Sequence, residues 1–272
     1  MRPLPVCLPR ILLSCLFFFV LTHILKADII QGETLEAFQK MTENATPQSL
    51  VIFDINDTLL VTDEELFQSS HKYQRLALQY ELEEIYSKDL LEQFWNFVRL
   101  KSSRSLIDSA VVELILSLQN RSTKVIALTT AGMGPLNEGL NLEDWKLHIL
   151  EGFRINFSRA FPETPCLKFD YLLTKHPKRY AGFKEGIVFT CGLSKGLVLS
   201  LVLKKLHYKP DAVFFIDDKL KNLLSVEEIC KKLNIPFRGY HYTAVQQVGL
   251  KALDKKKIHA EFEAFLKQRP SL

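Results

Sequence analysis

Five short apolar segments recur along the chain, and they constrain its fold more than any other feature of the sequence. Each is rich in β-branched or aromatic residues and ends in polar or small ones; the segments span residues 50–55, 124–128, 186–190, 212–216 and 236–242. Their hydrophobicity is continuous rather than alternating, which is typical of strands buried on both faces of a parallel sheet. Helical patterns separate them, so we predict an α/β fold with a doubly wound parallel sheet, whose ligands bind beyond the carboxyl ends of the strands.

Helical periodicity is clearest in two of the intervening stretches. The apolar residues recur with a 3.6-residue period at Ile107, Ala110, Val111, Leu114 and Leu118, and again at Val226, Ile229, Cys230 and Leu233. Ser105 and Asp108 have the spacing of a capping pair at the start of the first helix.

Two long insertions interrupt the alternation of strands and helices. Residues 62–104 have Leu91, Phe94 and Val98 at helical spacing, so this insertion is predicted to be helical, with its aromatic residues in a core of its own. Residues 133–185 are less regular and contain a short apolar helix near residues 147–153 and several proline-containing loops.

The first 27 residues have the pattern of a secretory signal peptide. Arg2 and Arg10 precede an almost wholly apolar stretch, residues 11–21, and Ala27 is the expected cleavage site. The longest apolar stretch, residues 11–25, is shorter than the roughly 20 residues that span a bilayer. We therefore expect an exported protein, periplasmic or secreted, with residues 28–272 as the mature chain; an uncleaved N-terminal membrane anchor is the alternative.

Charge and cysteine content exclude several classes of protein. The net charge is +4, but the first 27 residues hold three of the 35 basic residues and none of the 31 acidic ones, which leaves 32 against 31. A nearly neutral chain lacks the basic face that nucleic-acid binding requires. Beyond residue 27 the cysteines are Cys166, Cys191 and Cys230, without CxxC spacing, so three buried thiols are expected rather than a disulfide framework or a zinc site; one disulfide remains the alternative.

Polar residues follow four of the predicted strands. Asp54 leaves the first strand and is a candidate nucleophile or metal ligand, because a carboxylate at a buried strand end is costly unless it is paired, coordinated or protonated. Residues two apart on a strand share a face, so the side chains of Asp54 and Asn56 are expected to point together. Thr129 follows the second strand, Lys195 lies in the first turn of a helix after the third, and Asp217 and Asp218 follow the fourth.

The polar residues at these four strand exits, the points where the predicted strands end, resemble in this order the motifs of the haloacid-dehalogenase-like (HAD) superfamily. The strings "GIVFTCGLSKG", "FFIDDKLKNL" and "IPFRGYHYT" are similar to those of a branch of uncharacterised, exported HAD-like proteins from bacteria with intracellular lifestyles. The resemblance covers roughly residues 48–245 and implies a Rossmannoid core. It also implies that the helical insertion at 62–104 is a cap, because the superfamily often inserts one there.

The resemblance implies a role for each residue at the strand exits. Asp54 would attack phosphorus and become an aspartyl-phosphate. Mg²⁺ would be held by Asp54, the backbone carbonyl of Asn56 and either Asp217 or Asp218. The phosphoryl oxygens would be bound by Thr129 and Lys195. Asn222, which recurs in the family string, would orient Asp218 or cap the following helix.

One position departs from the superfamily pattern. Asn56 stands where an aspartate normally protonates the leaving group and later activates water, and an amide has no proton to exchange at neutral pH. General acid–base catalysis is commonly worth about 10²–10⁴ in rate, so activity reduced by about that factor, or absent, is expected. Asp57 follows directly and is an alternative source of the missing carboxylate.

Two functional hypotheses follow. The first is an exported, magnesium-dependent HAD-like phosphohydrolase that acts slowly on a small phosphomonoester. The second is a catalytically impaired binding or effector protein that keeps the metal and phosphate pocket. In either case the expected partner is a small phosphorylated molecule, with no nucleic acid, and with membrane contact only through residues 1–27 if they are not removed.

Overall fold

The computed structural model describes residues 28–137, 139–248 and 252–268. The predicted signal peptide therefore lies outside the described residues. In the part of the chain that is described, no helix has the length and apolar character needed to cross a membrane.

The described residues form twelve strands and eight α-helices. The strands are β1 (Asp28–Gly32), β2 (Leu50–Phe53), β3 (Leu60–Thr62), β4 (Arg104–Leu106), β5 (Lys124–Thr129), β6 (Pro135–Asn137), β7 (Leu140–Asn141), β8 (Cys166–Phe169), β9 (Ala181–Lys184), β10 (Ile187–Phe189), β11 (Val213–Asp217) and β12 (Phe237–Tyr242). The helices are α1 (Leu35–Met41), α2 (Lys72–Glu83), α3 (Lys88–Lys101), α4 (Ala110–Asn120), α5 (Leu142–Gly152), α6 (Lys195–Lys205), α7 (Leu220–Leu233) and α8 (Lys255–Gln268).

Eight strands form one central sheet in the order β1-β12-β11-β2-β5-β10-β9-β8. The first six run parallel, and β9 and β8 are antiparallel additions at one edge. Each of the five predicted segments contains one of the parallel strands, so the predicted α/β fold with a mostly parallel sheet is confirmed. Edge strand β1 and both antiparallel strands were not predicted.

Helices cover both faces of the sheet, which explains the continuous hydrophobicity of the strands. In β2, Val51 and Phe53 belong to the core that includes residues of α1, α4 and α5. Leu50 and Ile52 belong to the opposite core, with residues of α6 and α7. Alternate side chains of one strand are thus buried in different layers, as in other doubly wound sheets.

The helical insertion begins and ends at a two-stranded antiparallel ladder. Strands β3 and β4, at the two ends of the insertion, pair with each other and place Thr62 opposite Arg104. Helices α2 and α3 lie between them and share a separate apolar core with α8, in which the Phe94 and Phe262 rings meet edge to face with centroids 4.8 Å apart. Packing of the C-terminal helix against this insertion was not predicted, because nothing local in residues 255–268 indicates a partner so distant in sequence.

The second insertion contributes more regular structure than its sequence suggested. It supplies β8 and β9 to the central sheet, and α5 begins at Leu142, ahead of the apolar stretch near residues 147–153. Both strands have only four residues, and partial exposure of the edge strand β8 weakens the hydrophobic pattern that predicts a strand.

Three local predictions were wrong. Ser105 lies in β4 rather than at a helix start; α4 begins at Ala110, whose amide donates to Asp108 Oδ1 (2.9 Å). The three cysteines are free thiols, but Cys166 is exposed; only Cys191 and Cys230 are buried, and burial raises the pKa of Cys230 to about 12. Strand β2 ends at Phe53, earlier than predicted, so the strand geometry invoked for positions 54 and 56 does not apply.

Candidate active site

Parallel strands bring the predicted polar residues to one edge of the sheet. Asp54 follows β2 and Asp217 ends β11, and these strands are neighbours with Phe53 opposite Ile216. Lys195 is the first residue of α6, whose N-cap Ser194 accepts a hydrogen bond from the Leu197 amide (3.5 Å). The carboxyl ends of parallel strands and the helix that follows one of them therefore meet at this edge.

Lys195 lies between two of the predicted carboxylates. Its Nζ donates to Asp54 Oδ1 at 2.5 Å and to Asp217 Oδ2 at 2.6 Å. All three residues are buried, with exposed fractions of 1%, 5% and 0%. Burial alone would lower the pKa of Lys195, but the charges of Asp54 and Asp217 outweigh it and the net shift is upward, so the ammonium group stays charged.

Asp217 is held by three further hydrogen bonds. Asn222 Nδ2 donates to both of its carboxylate oxygens (2.8 and 3.0 Å), and the Lys219 amide donates to Oδ1 (2.8 Å). Burial, together with the charge of Asp54, raises the pKa of Asp217, while Lys195 opposes the rise. Asn222 therefore orients Asp217, not Asp218 as in the first of its two predicted roles, and it lies inside α7, whose N-cap is Lys219.

Asp218 has one satisfied and one unsatisfied carboxylate oxygen. Its Oδ2 accepts from Lys219 Nζ (2.8 Å), whereas Oδ1 is buried without a hydrogen-bond partner. Burial, followed by the charge of Asp54, raises the pKa of Asp218 to about 8. Thr58 links this residue to the first motif, because its hydroxyl accepts from the Asp218 amide (3.1 Å) and donates to Asp54 Oδ2 (3.4 Å).

Asp54, Asp217 and Asp218 fit a hard divalent cation. One carboxylate oxygen from each lies within 4.8 Å of the others. An all-oxygen donor set is what Mg²⁺ prefers, and the unsatisfied Oδ1 of Asp218 supplies a free lone pair. Either aspartate of the pair was predicted as a ligand; both lie within reach of one cation.

Thr129 lies at the same edge as these carboxylates. It is fully buried as the last residue of β5, which pairs with β2 on one side and β10 on the other. Its Oγ1 accepts a hydrogen bond from the Ala131 amide (3.3 Å), which leaves the hydroxyl hydrogen available to a ligand oxygen.

Asn56 does not share a buried face with Asp54. Its side chain is exposed, and its Oδ1 accepts a hydrogen bond from Lys146 Nζ (3.1 Å) on α5. The chain turns directly afterwards: Asp57 has a φ of 63° and is buried, with Oδ2 at 3.9 Å from Lys219 Nζ. Substitution of Asp57 for the missing acid remains a prediction.

Lys146 is the site residue that sequence reasoning missed. It is only 4% exposed, and burial, with the charges of Arg104 and Arg99, lowers its pKa to about 7. A lysine on a helix is usually solvated, and nothing near Lys146 in the sequence indicates otherwise. Only the packing of the second insertion against the first strand exit buries it.

The fold and the site together define an α/β protein with a buried lysine–carboxylate cluster at the carboxyl ends of its parallel strands. The chain belongs to the family described as protein of unknown function (DUF2608), whose model matches residues 31–269.

Relatives of the chain occur in Chlamydia and Rickettsia species. A Chlamydia trachomatis protein named "Putative outer membrane protein" is 28% identical over 71% of this chain and 69% of its own length. An uncharacterized protein of Rickettsia prowazekii is 25% identical over 88% of this chain and 86% of its own length. No solved structure matches the chain significantly.

Proposed function

We propose that this protein is an exported, magnesium-dependent, HAD-like phosphohydrolase that acts on a small phosphomonoester. The observation that carries the proposal is the bridge from Lys195 to both Asp54 and Asp217, with Asp218 in metal-binding reach of the two carboxylates. Such a group combines a carboxylate nucleophile, a cation for the phosphoryl oxygens and a metal-binding triad at one sheet edge, as phosphoryl transfer requires.

Each residue has a defined part in the proposed reaction. An oxygen of Asp54 attacks phosphorus, and the bond between phosphorus and the leaving-group oxygen breaks. Lys195 and Thr129 hold the phosphoryl oxygens during this step. Water then attacks the aspartyl-phosphate and releases inorganic phosphate and free Asp54. Asp54, Asp217, Asp218 and the backbone carbonyl of Asn56 would hold Mg²⁺, which would neutralise charge on the phosphoryl group.

The leaving group needs a proton that Asn56 is unable to donate. An amide neither donates a proton to an alkoxide nor takes one from water at neutral pH. The proposed enzyme is therefore slow, by about the 10²–10⁴ that general acid–base catalysis commonly supplies.

Hydrolysis of a phosphomonoester panel by the purified protein, with Mg²⁺ and with a chelator, tests the proposal. We expect slow release of phosphate that requires Mg²⁺ and disappears in Asp54→Asn. Asp170→Asn, an exposed aspartate outside the site, is the matched control and should retain full activity. If neither the wild-type protein nor Asn56→Asp hydrolyses any compound, the phosphohydrolase proposal fails.

A second candidate function is supported by Asn56 itself. A protein that binds a phosphorylated ligand without turnover needs Lys195, Thr129 and the metal triad but has no use for a general acid. Beryllofluoride, which mimics the aspartyl-phosphate, distinguishes the two functions: magnesium-dependent binding of beryllofluoride without hydrolysis of any phosphomonoester favours the binding protein.

Export is part of the same proposal. The pattern of residues 1–27 and the name of the Chlamydia trachomatis relative both fit a cell-envelope or exported location. We expect the mature chain, residues 28–272, to be periplasmic or secreted. Fractionation of cells that produce the full chain, with N-terminal sequencing of the product, tests both location and cleavage after Ala27.

A further inference from the structure

Five basic side chains converge between the helical insertion and the second insertion. They come from α2, α3, β4, α5 and the loop between β8 and β9, and we name them the cationic cluster: Arg75, Arg99, Arg104, Lys146 and Arg179. Arg99 lies at its centre, because the charges of Arg179, Arg104 and Arg75 all act on it.

Neutral groups hold several members of the cationic cluster close together. Arg99 Nη1 and Arg179 Nη2 both donate to Asn96 Oδ1, at 2.7 and 3.2 Å. The guanidinium carbon of Arg104 lies 4.5 Å from the centroid of the Trp145 ring, and Lys146 Nζ lies 5.5 Å from the same centroid. Pairs of like charges are thus held close together by one uncharged partner.

Countercharge within the cluster is scarce. Arg179 pairs with Glu92 (3.0 Å). The charges of Asp57, Glu92 and Asp63 act on Arg75, Arg99 and Arg104, but within the described part of the chain none of these three arginines has a carboxylate at ion-pair distance. The side chain of Arg179 is only 8% exposed, and its buried Nε has no hydrogen-bond partner. Buried charges are ordinarily paired, so this arrangement has an unsatisfied requirement for an anion.

Burial and the charges of neighbouring groups change the pKa values of the arginines in the cluster. Burial, with repulsion from neighbouring arginines, lowers the pKa of Arg99 to about 9, and burial lowers that of Arg104 to about 10. Both groups remain cationic at neutral pH, and their guanidinium donors match the geometry of a carboxylate or phosphate.

The cationic cluster also adjoins the candidate active site. Lys146 Nζ bonds to Asn56 Oδ1 (3.1 Å), two residues beyond the proposed nucleophile, and the charges of Asp54 and Asp57 act on it. A substrate with its phosphoryl group at Asp54 would therefore direct its leaving group toward these cations.

We infer that the cationic cluster binds a second anionic group of the substrate. This inference rests on the proposed function and names the substrate class: phosphomonoesters whose leaving group carries a carboxylate or a further phosphate. The ligand anion supplies the countercharge that the cluster lacks.

Two matched pairs of compounds test the inference and separate the two kinds of anion. 3-Phosphoglycerate differs from glycerol 3-phosphate by a carboxylate, and fructose 1,6-bisphosphate differs from fructose 6-phosphate by a phosphate. Their dissociation constants are measured by calorimetry in Mg²⁺ with Asp54→Asn, which blocks turnover. We expect the compound with two anionic groups in at least one pair to bind about 10-fold more tightly or better, as charge-assisted hydrogen bonds allow.

Variants of the cluster are then compared in the same background. Arg99→Gln and Arg104→Gln should remove the preference and leave the affinity for the singly anionic compounds within about twofold. Arg238→Gln, an exposed arginine on β12, is the control and should change neither affinity. Thermal denaturation should show unchanged or higher melting temperatures for both cluster variants, because each removes a partly buried cation that neighbouring cations repel.

Several outcomes would overturn the inference. One is equal affinity for both members of each pair; another is a variant that weakens both members equally while its melting temperature falls, which would make the cluster structural. Failure of the proposed function looks different: no phosphomonoester is hydrolysed, yet the preference for doubly anionic compounds persists in the binding measurement.

Discussion

Two clusters of buried charge lie side by side in this protein, and they are built in opposite ways. In the first, Lys195 has a carboxylate on either side, Asp54 and Asp217. In the cationic cluster, by contrast, Arg99 and Arg104 bond to or stack on neutral groups, and the carboxylates whose charges act on them, Glu92 and Asp63, do not form ion pairs with them. The first supplies a countercharge to its cation, whereas among the described residues of the second only Arg179 has an ion pair, with Glu92.

This difference separates a site organised by the protein alone from one completed by a ligand. A buried ion pair with additional hydrogen bonds repays much of its desolvation cost, so the first cluster is stable without substrate. Like charges buried together reduce stability, and proteins retain such arrangements where binding requires them. The following substitutions test that contrast.

The largest effect on stability is expected for Lys195→Met. It leaves Asp54 and Asp217 buried without a cation, and breaking a buried ion pair in this way typically costs about 3–5 kcal/mol in free energy of unfolding. Denaturant titration measures the loss. Lys232→Met removes an exposed lysine paired with Glu228 and should leave the free energy of unfolding nearly unchanged. Similar losses in both variants would show that Lys195 is not the centre of a self-compensated cluster.

Asn56→Asp should produce the largest gain in activity. It restores a general acid at the first exit, which is commonly worth about 10²–10⁴ in turnover. It also places a carboxylate beside Lys146, so the cationic cluster gains an internal countercharge. Steady-state phosphate release measures the gain, with exposed Asn120→Asp as control. Unchanged turnover would indicate that Asp57 or solvent already donates the proton to the leaving group.

Lys146→Met should stabilise the protein at pH 7, by about 1–3 kcal/mol, because it removes a buried cation that faces Arg104 and Arg99. The sign of the pH dependence follows from the pKa of Lys146, which is about 7 in the folded protein and ordinary in the unfolded chain. Between these values the unfolded chain binds more protons, so wild-type stability rises with pH.

Lys146→Met lacks this rise of stability with pH. The difference in free energy of unfolding between Lys146→Met and wild type should therefore shrink from pH 7 to pH 9. Thermal denaturation at both pH values measures the two differences. If Lys146→Met were less stable than wild type at pH 7, this would contradict the expectation that the buried Lys146 lowers the free energy of unfolding.

The smallest effect is expected for Glu92→Gln. It removes the ion pair of Arg179, whose partner Glu92 is one-third exposed, and should cost about 1 kcal/mol in free energy of unfolding. Pyrophosphate should then raise the melting temperature more in this variant than in wild type, because the cluster has lost its carboxylate. Glu113→Gln, an exposed residue of α4, serves as the control. An equal response to pyrophosphate in both proteins would argue against anion binding by the cluster.

Local pattern was sufficient to predict five of the six parallel strands and the first cluster. Asp54 and Asp217 each follow an apolar run, and neighbouring parallel strands necessarily bring their carboxyl ends together. The pattern was insufficient for β8, a short edge strand with partly exposed side chains, and for β9, which has only four residues. It was also insufficient for α8, whose apolar face shows no sign of its distant partner Phe94.

The sequence by itself determined the mostly parallel α/β core and the residues at its strand exits, because hydrophobic periodicity and strand ends are local properties of the chain. It also determined that Asn56 occupies the position where a proton donor was expected. The tertiary structure alone decided what surrounds Asn56. Lys146, Arg99 and Arg104 are unremarkable in sequence, and they become a cationic cluster only because two insertions pack together and exclude the solvent that would otherwise screen their charges.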